Sequence, residues 1–320
     1  MPSFSGVWNL VSQYQAKAQN NWPDPNAPIG LFAGGRTPTT NTINTIIITT
    51  TGNATSFGSL DIASAYSGAG LGSSTRGVFA LGIGAEVIVN TIQYVTFSSP
   101  GTALDFGDLT VARYGMAAAS NSTRGLFASG QSTGGVYTNV IDYVTIASTG
   151  DALDFGDTIA AQRWRAGCSS TTRALIAGGV NGSNSNVIQY VTVATIGNAI
   201  DFGDLLTPLY QLASCASSTR GLFAGGEDTV GRTNVIGFVT IASTGNATDF
   251  GDLTVARRGI AGCSSSTRGV FAGGYDDTSN VNFNTIDYVT IATTGNAIDF
   301  GDLTTGRREL SACSNAHGGL

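Results

Sequence analysis

The stretch RRGIAGCSSSTRGVFAGGYDDTSNVNFNTIDYVTIATTGNAIDFGDL, from Arg257 to Leu303, decides the fold. It divides into four short apolar segments: RRGIAGCS from Arg257, RGVFAGG from Arg268, NTIDYVTIAT from Asn284 and NAIDFGDL from Asn296. Between them lie Ser-Ser-Ser-Thr, a longer loop and Thr-Gly-Asn, all residues that favour turns or tolerate positive φ. The reading is four consecutive β-strands.

The same unit recurs along the chain. FGD, or FGS in the first copy, begins at Phe57, Phe106, Phe155, Phe202, Phe250 and Phe300, with spacings of 49, 49, 47, 48 and 50 residues. A second landmark keeps the same frame: GLFAGG at Gly30, GVFALG at Gly77, GLFASG at Gly125, ALIAGG at Ala174, GLFAGG at Gly221 and GVFAGG at Gly269. Self-similarity at this period marks a repeat architecture, and four strands per unit is the size of one propeller blade. The third strand carries apolar residues on both faces, Ile141 and Tyr143 on one, Val144 and Ile146 on the other. That pattern suits a sheet clamped between two neighbours better than a sheet with one wet face. β-Helical solenoids also bury strands, but their coils recur at about half this period or less.

The repeat resembles that of the kelch family, which has an apolar strand ending in Gly-Gly, then a strand with a Tyr, then an aromatic on the outer strand. VFAGG at 270–274, Tyr288 and Phe300 occupy those places, with Phe where the family usually has Trp. The first copy is the least regular, with Ser56 and Ser59 in place of the paired aspartates. The resemblance implies that the first strand of each unit is innermost. The chain enters at a second strand, Gly30 to Gly35, and leaves after a sixth first-type strand, Arg307 to Ser314. The expected fold is therefore all-β: a six-bladed β-propeller with four strands per blade, spanning 29–320 and closed by the C-terminal strand, preceded by a short N-terminal arm at 1–28. Closure of this kind removes the open sheet edges that invite aggregation.

Composition narrows the function. The chain has 320 residues, 44 of them Gly, and a formal charge of -6; Lys17 is its only lysine, so no basic run is available to track a phosphate backbone and nucleic acid is not an expected partner. No stretch of about 18 apolar residues occurs and no basic segment precedes an apolar core at the N-terminus, so membrane insertion and a secretory leader are not expected. Cys168, Cys215, Cys263 and Cys313 fall one per repeat, which reads as buried free thiols rather than two disulfides.

Catalysis finds few candidates. His317 is the sole histidine and lies in a Gly-rich tail, no CxxC occurs, and neither a Ser-His-Asp triad nor a zinc site is supported. No cofactor, metal or catalytic residue is assigned, and the protein is read as a non-enzyme. The repeated D-F-G-D supplies Asp105/Asp108, Asp154/Asp157, Asp201/Asp204, Asp249/Asp252 and Asp299/Asp302. Structural hydrogen bonding, pairing with arginine (Asp302 with Arg307 or Arg308), and calcium binding are all open to them. Arg113, Arg163, Arg257 and Arg307 recur where the chain passes to the next first strand, either as partners of these aspartates or as a ring at a channel mouth that would attract an anion or acidic groups.

Two regions are candidate binding surfaces. The arm SGVWNLVSQYQAKAQNNWP, Ser5 to Pro23, offers Trp8, Tyr14 and Trp22, side chains favoured at interfaces. The loop between second and third strands varies most between copies, and loops carried on a rigid scaffold are where binding concentrates. Together with the connections to the next repeat, that face would combine Tyr137, Asp228, Arg232, Tyr275, Asp276, Asp277 and Phe283. The arm is similar to segments that precede Gly-rich kelch-like repeats in tailed-phage structural proteins, through Trp8 and Asn21-Trp22-Pro23. That resemblance implies a virion protein, a tail or head appendage, which meets other virion proteins through the arm. A carbohydrate- or receptor-binding propeller that recognises a host surface glycan or receptor is the alternative, and a glycan-cleaving enzyme a third.

Overall fold

The structure, a computed structural model, describes residues 27–62 and 66–320. Trp8, Tyr14 and Trp22, and nearly all of the expected arm, lie outside the described residues. Those described form an all-β chain whose one helical element is the 3-10 turn Thr133–Gly135. Four-stranded antiparallel sheets follow one another, a layout compatible with a β-propeller. In the sheet read first from sequence the strands are Ala261–Ser264, Arg268–Ala272, Thr285–Thr290 and Ile298–Asp302, paired in that order.

The chain's last strand, Ser311–Ser314, pairs antiparallel with Ile29–Ala33, from Gly30↔Ser314 to Ala33↔Ser311. Thr42–Ile47 and Thr55–Ser59 complete that sheet. It continues into the next one through a short parallel pairing of Gly58 and Ser59 with Gly101 and Thr102, giving an eight-stranded sheet. The strand expected to close the fold from the C-terminus is therefore in place, with Leu310 buried beside it.

Burial on both faces is realised residue by residue. Ile141 packs in a cluster with Phe155, Ala174, Ile176 and Val191, and Tyr143 lies against it. On the other face Val144 and Ile146 pack with Leu71, Val78, Ile92 and Phe106 of the preceding sheet. The repeated Tyr and Phe meet edge to face, as in Tyr288 and Phe300 at 5.9 Å, and an arginine from the second strand covers the Tyr, Arg268 at 4.3 Å. Geometries of this kind add to the burial of the rings.

Cysteines set the spacing between sheets. All four are free and buried. A Cβ added at Gly221 would lie 3.0 Å from Cys168 Sγ, and one at Gly269, Gly30 or Gly77 would lie 2.5–2.8 Å from the thiol of Cys215, Cys263 or Cys313. Each thiol is thus a knob seated on the glycine that opens the second strand of the following sheet. Where that strand opens with Ala174, the knob is reduced to Ala119, and the two alanines share one cluster. Removal from water pushes the Cys168 and Cys263 thiols up to about 12, so they stay protonated at neutral pH.

The D-F-G-D motif joins sheets at their outer ends. Gly107 (φ 143°) lies so close to the turn of the next repeat that a Cβ there would meet Gly150 O at 2.5 Å. Gly150 N donates to Phe106 O at 2.7 Å, Asp108 N to Asp151 Oδ1 at 3.0 Å, and Ala152 N to Asp108 O at 2.8 Å. Asn198, Asn246 and Asn296 repeat the side-chain bond to the backbone of Asp157, Asp204 and Asp252.

Candidate functional site

First strands of successive repeats (Ala69–Gly72, Ala117–Ser120, Ala166–Ser169, Ala213–Ala216, Ala261–Ser264 and Ser311–Ser314) lie side by side, the last against the first. They surround a narrow cavity. At one end of it the backbone closes a ring: Ser67 N donates to Glu309 O, Gly115 N to Ser67 O, Trp164 N to Gly115 O, Gln211 N to Trp164 O, Gly259 N to Gln211 O and Glu309 N to Gly259 O, all at 2.6–3.0 Å. Every member has positive φ, between 52° and 67°. Two are glycines, for which this is easy; Ser67, Trp164, Gln211 and Glu309 hold the conformation at a cost, and strain of this kind concentrates at functional sites. Their side chains, with Met116, Arg165, Leu212, Ile260 and Leu310, bound a cavity of about 70 Å³.

Around this ring stand Tyr66, Tyr114, Arg163, Tyr210, Arg258 and Arg308, each one residue before a ring member. Trp164 stacks on Tyr210 at 5.6 Å, and the Arg163 guanidinium lies 3.8 Å from the Trp164 ring centre. Tyr137 belongs to this sector, 5.8 Å from the same guanidinium.

The other loop residues singled out in the sequence form a second sector. Arg232 meets Asp276 at 2.7 Å and Asp277 at 3.6 Å; Arg258 meets Asp277 at 3.0 Å and Glu227 at 2.9 Å. Tyr275 lies under Arg308 at 3.9 Å and donates its hydroxyl to Asn280 at 2.7 Å. Asp276 also accepts from Ser279 Oγ at 2.6 Å and from Thr278 N at 3.0 Å, bonds that, with Arg232, hold its carboxyl below the usual range. Asp228 caps its own turn through Val230 N at 2.7 Å and Gly231 N at 2.9 Å, and Phe283 is half-buried, its amide bonded to Gly274 O at 2.9 Å. Arg232, Tyr275, Asp276 and Asp277 thus form one interlocked patch, whereas Tyr137 lies apart from it.

Three of the four recurrent arginines are not at the mouth. Arg113, Arg257 and Arg307 are buried, folded back over their own sheets. Arg113 Nη1 meets Asp142 at 2.9 Å while Nε and Nη2 donate to Ser129 O and Phe127 O; Arg257 meets Asp287 at 3.1 Å. The arginine partner is therefore the aspartate of the third strand, not the D-F-G-D pair as one reading of the sequence had it. Asp105, Asp154, Asp201, Asp249 and Asp299 are exposed. The clue was present: a charged residue inside the apolar run IDYVT has to be paired once buried. Arg163, set one place later in its repeat, is the one of the four that reaches the mouth. Its repeat has Gln162 at the Arg113 position, and the guanidinium of buried Arg165 reaches in from three residues on, bonding Ala160 O at 3.1 Å. Loss of water lowers the Arg165 pKa to about 10.

At the far end of the cavity the first strands end in Gly72, Ser120, Ser169, Ala216, Ser264 and Ser314. Serine hydroxyls bridge neighbours: Ser120 Oγ to Gly72 O, Ser169 Oγ to Ser120 O, Ser264 Oγ to Ala216 O and Ser314 Oγ to Ser264 O, at 2.6–2.8 Å. The Gly-rich tail after Ser314 crosses this end. His317 Nε2 reaches Gly72 O at 2.9 Å and Gly318 N donates to Ala216 O at 3.0 Å.

No family model matches the chain, and no curated protein matches it.

Proposed function

We propose that the successive sheets are the six blades of a closed, kelch-like propeller, and that the protein is a non-enzymatic virion component of a tailed phage, a tail or head appendage serving as an interaction or attachment module. The ring of six backbone hydrogen bonds supports the blade count. The observation that carries an interaction role is the contrast between the two parts of each repeat. Strands and Gly-centred outer turns recur in every repeat and the Cys-Gly contact in four, whereas the loop face differs in every repeat and gathers Trp164, Tyr210, Tyr275 and paired charges around one opening. A rigid scaffold with one variable face is the arrangement of a binding protein.

In this reading the arm, with Trp8, Tyr14 and Trp22, contacts other virion proteins, and the loop face is free for an outside partner. Peptide identification in purified virions tests the context: the protein should be present at the copy number of a structural component, and its absence rejects the assignment. The stacked aromatic and arginine groups favour a host-surface glycan or receptor as the outside partner. Because Asp276 and Asp277 neutralise Arg232 and Arg258, a test of the face should leave these charges intact. Tyr275→Ser with Phe283→Ser should weaken binding on a glycan array or to host cells without moving the melting temperature; unchanged binding rejects this face.

A further inference from the structure

We propose that the C-terminal segment Asn315–Leu320 is an acid-releasable plug of the central cavity, held shut by the neutral imidazole of His317. The segment is fixed at three points. Asn315 Oδ1 accepts from Ile29 N at 2.7 Å, His317 Nε2 lies 2.9 Å from Gly72 O and 3.2 Å from Ser120 Oγ, and Gly318 N donates to Ala216 O. Gly72 and Ala216 are the two first-strand ends that lack a hydroxyl, and they belong to the second and fifth repeats. On the six-blade reading these repeats face each other across the axis. The tail thus spans the opening where no serine side chain stands in its way.

Both ring nitrogens are committed, in opposite senses. Nε2 faces a carbonyl and must donate, while Nδ1 accepts from Gly319 N at 3.1 Å. This network assigns the neutral tautomer with the proton on Nε2. A second proton on Nδ1 would point at the Gly319 N–H, breaking the tail's own bond and placing a charge among backbone carbonyls and small side chains. Among the described residues, the other titratable side chains lining this end are the thiols of Cys168, Cys215, Cys263 and Cys313, all kept protonated by burial, so no side-chain charge there compensates the imidazolium. Desolvation lowers the His317 pKa from its ordinary value, only partly offset by the bond to Gly72 O.

The direction of the effect follows from linkage. A group whose pKa is depressed in the closed state stabilises that state above its ordinary pKa of about 6.5 and loses the contribution as pH falls. Release takes up one proton, so the opening constant should rise about tenfold per pH unit below about 6.5 until the closed-state pKa is reached. Between pH 6.5 and 5 ordinary carboxylates stay ionised, so the effect is isolated there. Opening would uncover the Gly72 and Ala216 carbonyls and the serine-lined cavity of about 50 Å³.

The single histidine makes the test direct. Its imidazole resonance in the full chain reports its titration, and amide exchange at Gly318 and Gly319, corrected for intrinsic rates, reports the tail. The expected result is an imidazole midpoint below 6.5 and tail protection that falls as pH drops below 6.5, by at most about tenfold per pH unit, with amides of the second strands unchanged. In His317→Gln, which carries no titrating group, the slope should vanish. Wild-type protection that is flat with pH, or a slope that persists in His317→Gln, overturns the proposal; if the variant packs poorly, the wild-type slope alone decides.

Discussion

Asn44→Asp should stabilise the protein. Asn44 occupies the third-strand position that Asp142 and Asp287 hold in their own sheets, and it faces Arg307, which is buried to the same degree as Arg113 and Arg257. Its Oδ1 takes three bonds, from Thr304 N at 3.3 Å, Thr304 Oγ1 at 2.9 Å and Arg307 Nη2 at 3.1 Å, while its Nδ2 is buried with no partner. In Asp142 the bonds from Thr110 N, Thr110 Oγ1 and Arg113 are shared between two carboxylate oxygens. Without a carboxylate, burial lowers the Arg307 pKa to about 10. The substitution changes no heavy-atom shape. It removes an unsatisfied donor, worth about 1–3 kcal/mol, and makes the bond to Arg307 charge-assisted, worth about 1.5–3 kcal/mol. Desolvating the new carboxylate costs several kcal/mol, which cancels part of this gain. A net stabilisation of about 1–3 kcal/mol is expected, or roughly 2–12 °C in melting temperature on the scale of chains somewhat shorter than this one. Asp142→Asn is the reverse experiment and should lower stability by a similar amount. Thermal and urea unfolding of both variants provides the check. If Asn44→Asp melts lower than wild type while Asp142→Asn is neutral, the pairing of the buried arginines is not what the repeat selects for.

Three further outcomes follow from the packing. Gly221→Ala places a methyl 3.0 Å from Cys168 Sγ and should cost about 1–3 kcal/mol, whereas Gly221→Ala with Cys168→Ala reproduces the natural Ala174 and Ala119 pair and should recover most of it; strict additivity in this cycle would refute the contact. Deleting Gly306–Leu320 removes the strand paired with Ile29–Ala33 and the burial of Leu310, together about 4–8 kcal/mol, so the truncated chain should aggregate or melt far lower; a monomer with an unchanged melting curve would contradict the closure. Cys168, Cys215, Cys263 and Cys313 should resist thiol reagents until the protein unfolds and show no crosslink in non-reducing mass spectrometry, because burial keeps them protonated and each is seated on a different sheet.

The strand order, the closing strand and the buried thiols were legible because each depends on something repeated, and repetition converts one sequence into several aligned examples. What stayed hidden lies in how repeats differ. The arginine recurs in register with D-F-G-D, which made that pair the natural partner on sequence distance alone. Its actual partners sit 29 residues on in Asp142 and 30 on in Asp287, because the guanidinium turns back across the second strand to the third. Sequence proximity cannot report a contact made across two hydrogen-bonded strands. The mouth residues were hidden for another reason: Ser67, Trp164, Gln211 and Glu309 share only a backbone conformation, and a positive φ without glycine leaves no mark in composition.

The exceptions among the repeats nevertheless obey the same physics as the rule, which argues that the contacts are selected and not incidental. Where Arg113 and Arg257 are present, the third strand supplies Asp142 and Asp287. Where the arginine's place is taken by Leu209, the third strand has Gly237, and Leu206 fills the space, its Cδ1 3.4 Å from where a Cβ on that glycine would lie. Where it is Gln162, the third strand has Gln189, which accepts from Ile159 N at 2.7 Å, and the guanidinium comes from Arg165 instead. Charge meets charge and apolar meets apolar, while Gln162 Oε1 accepts from Arg165 and Gln189 keeps a buried Nε2 with no partner. A buried polar group left without its counterpart costs more than the pair contributes, so the two positions can change only together. Asn44 beside Arg307 places a buried guanidinium directly on a neutral amide whose own donor is unused, and that is why its replacement is an informative single substitution.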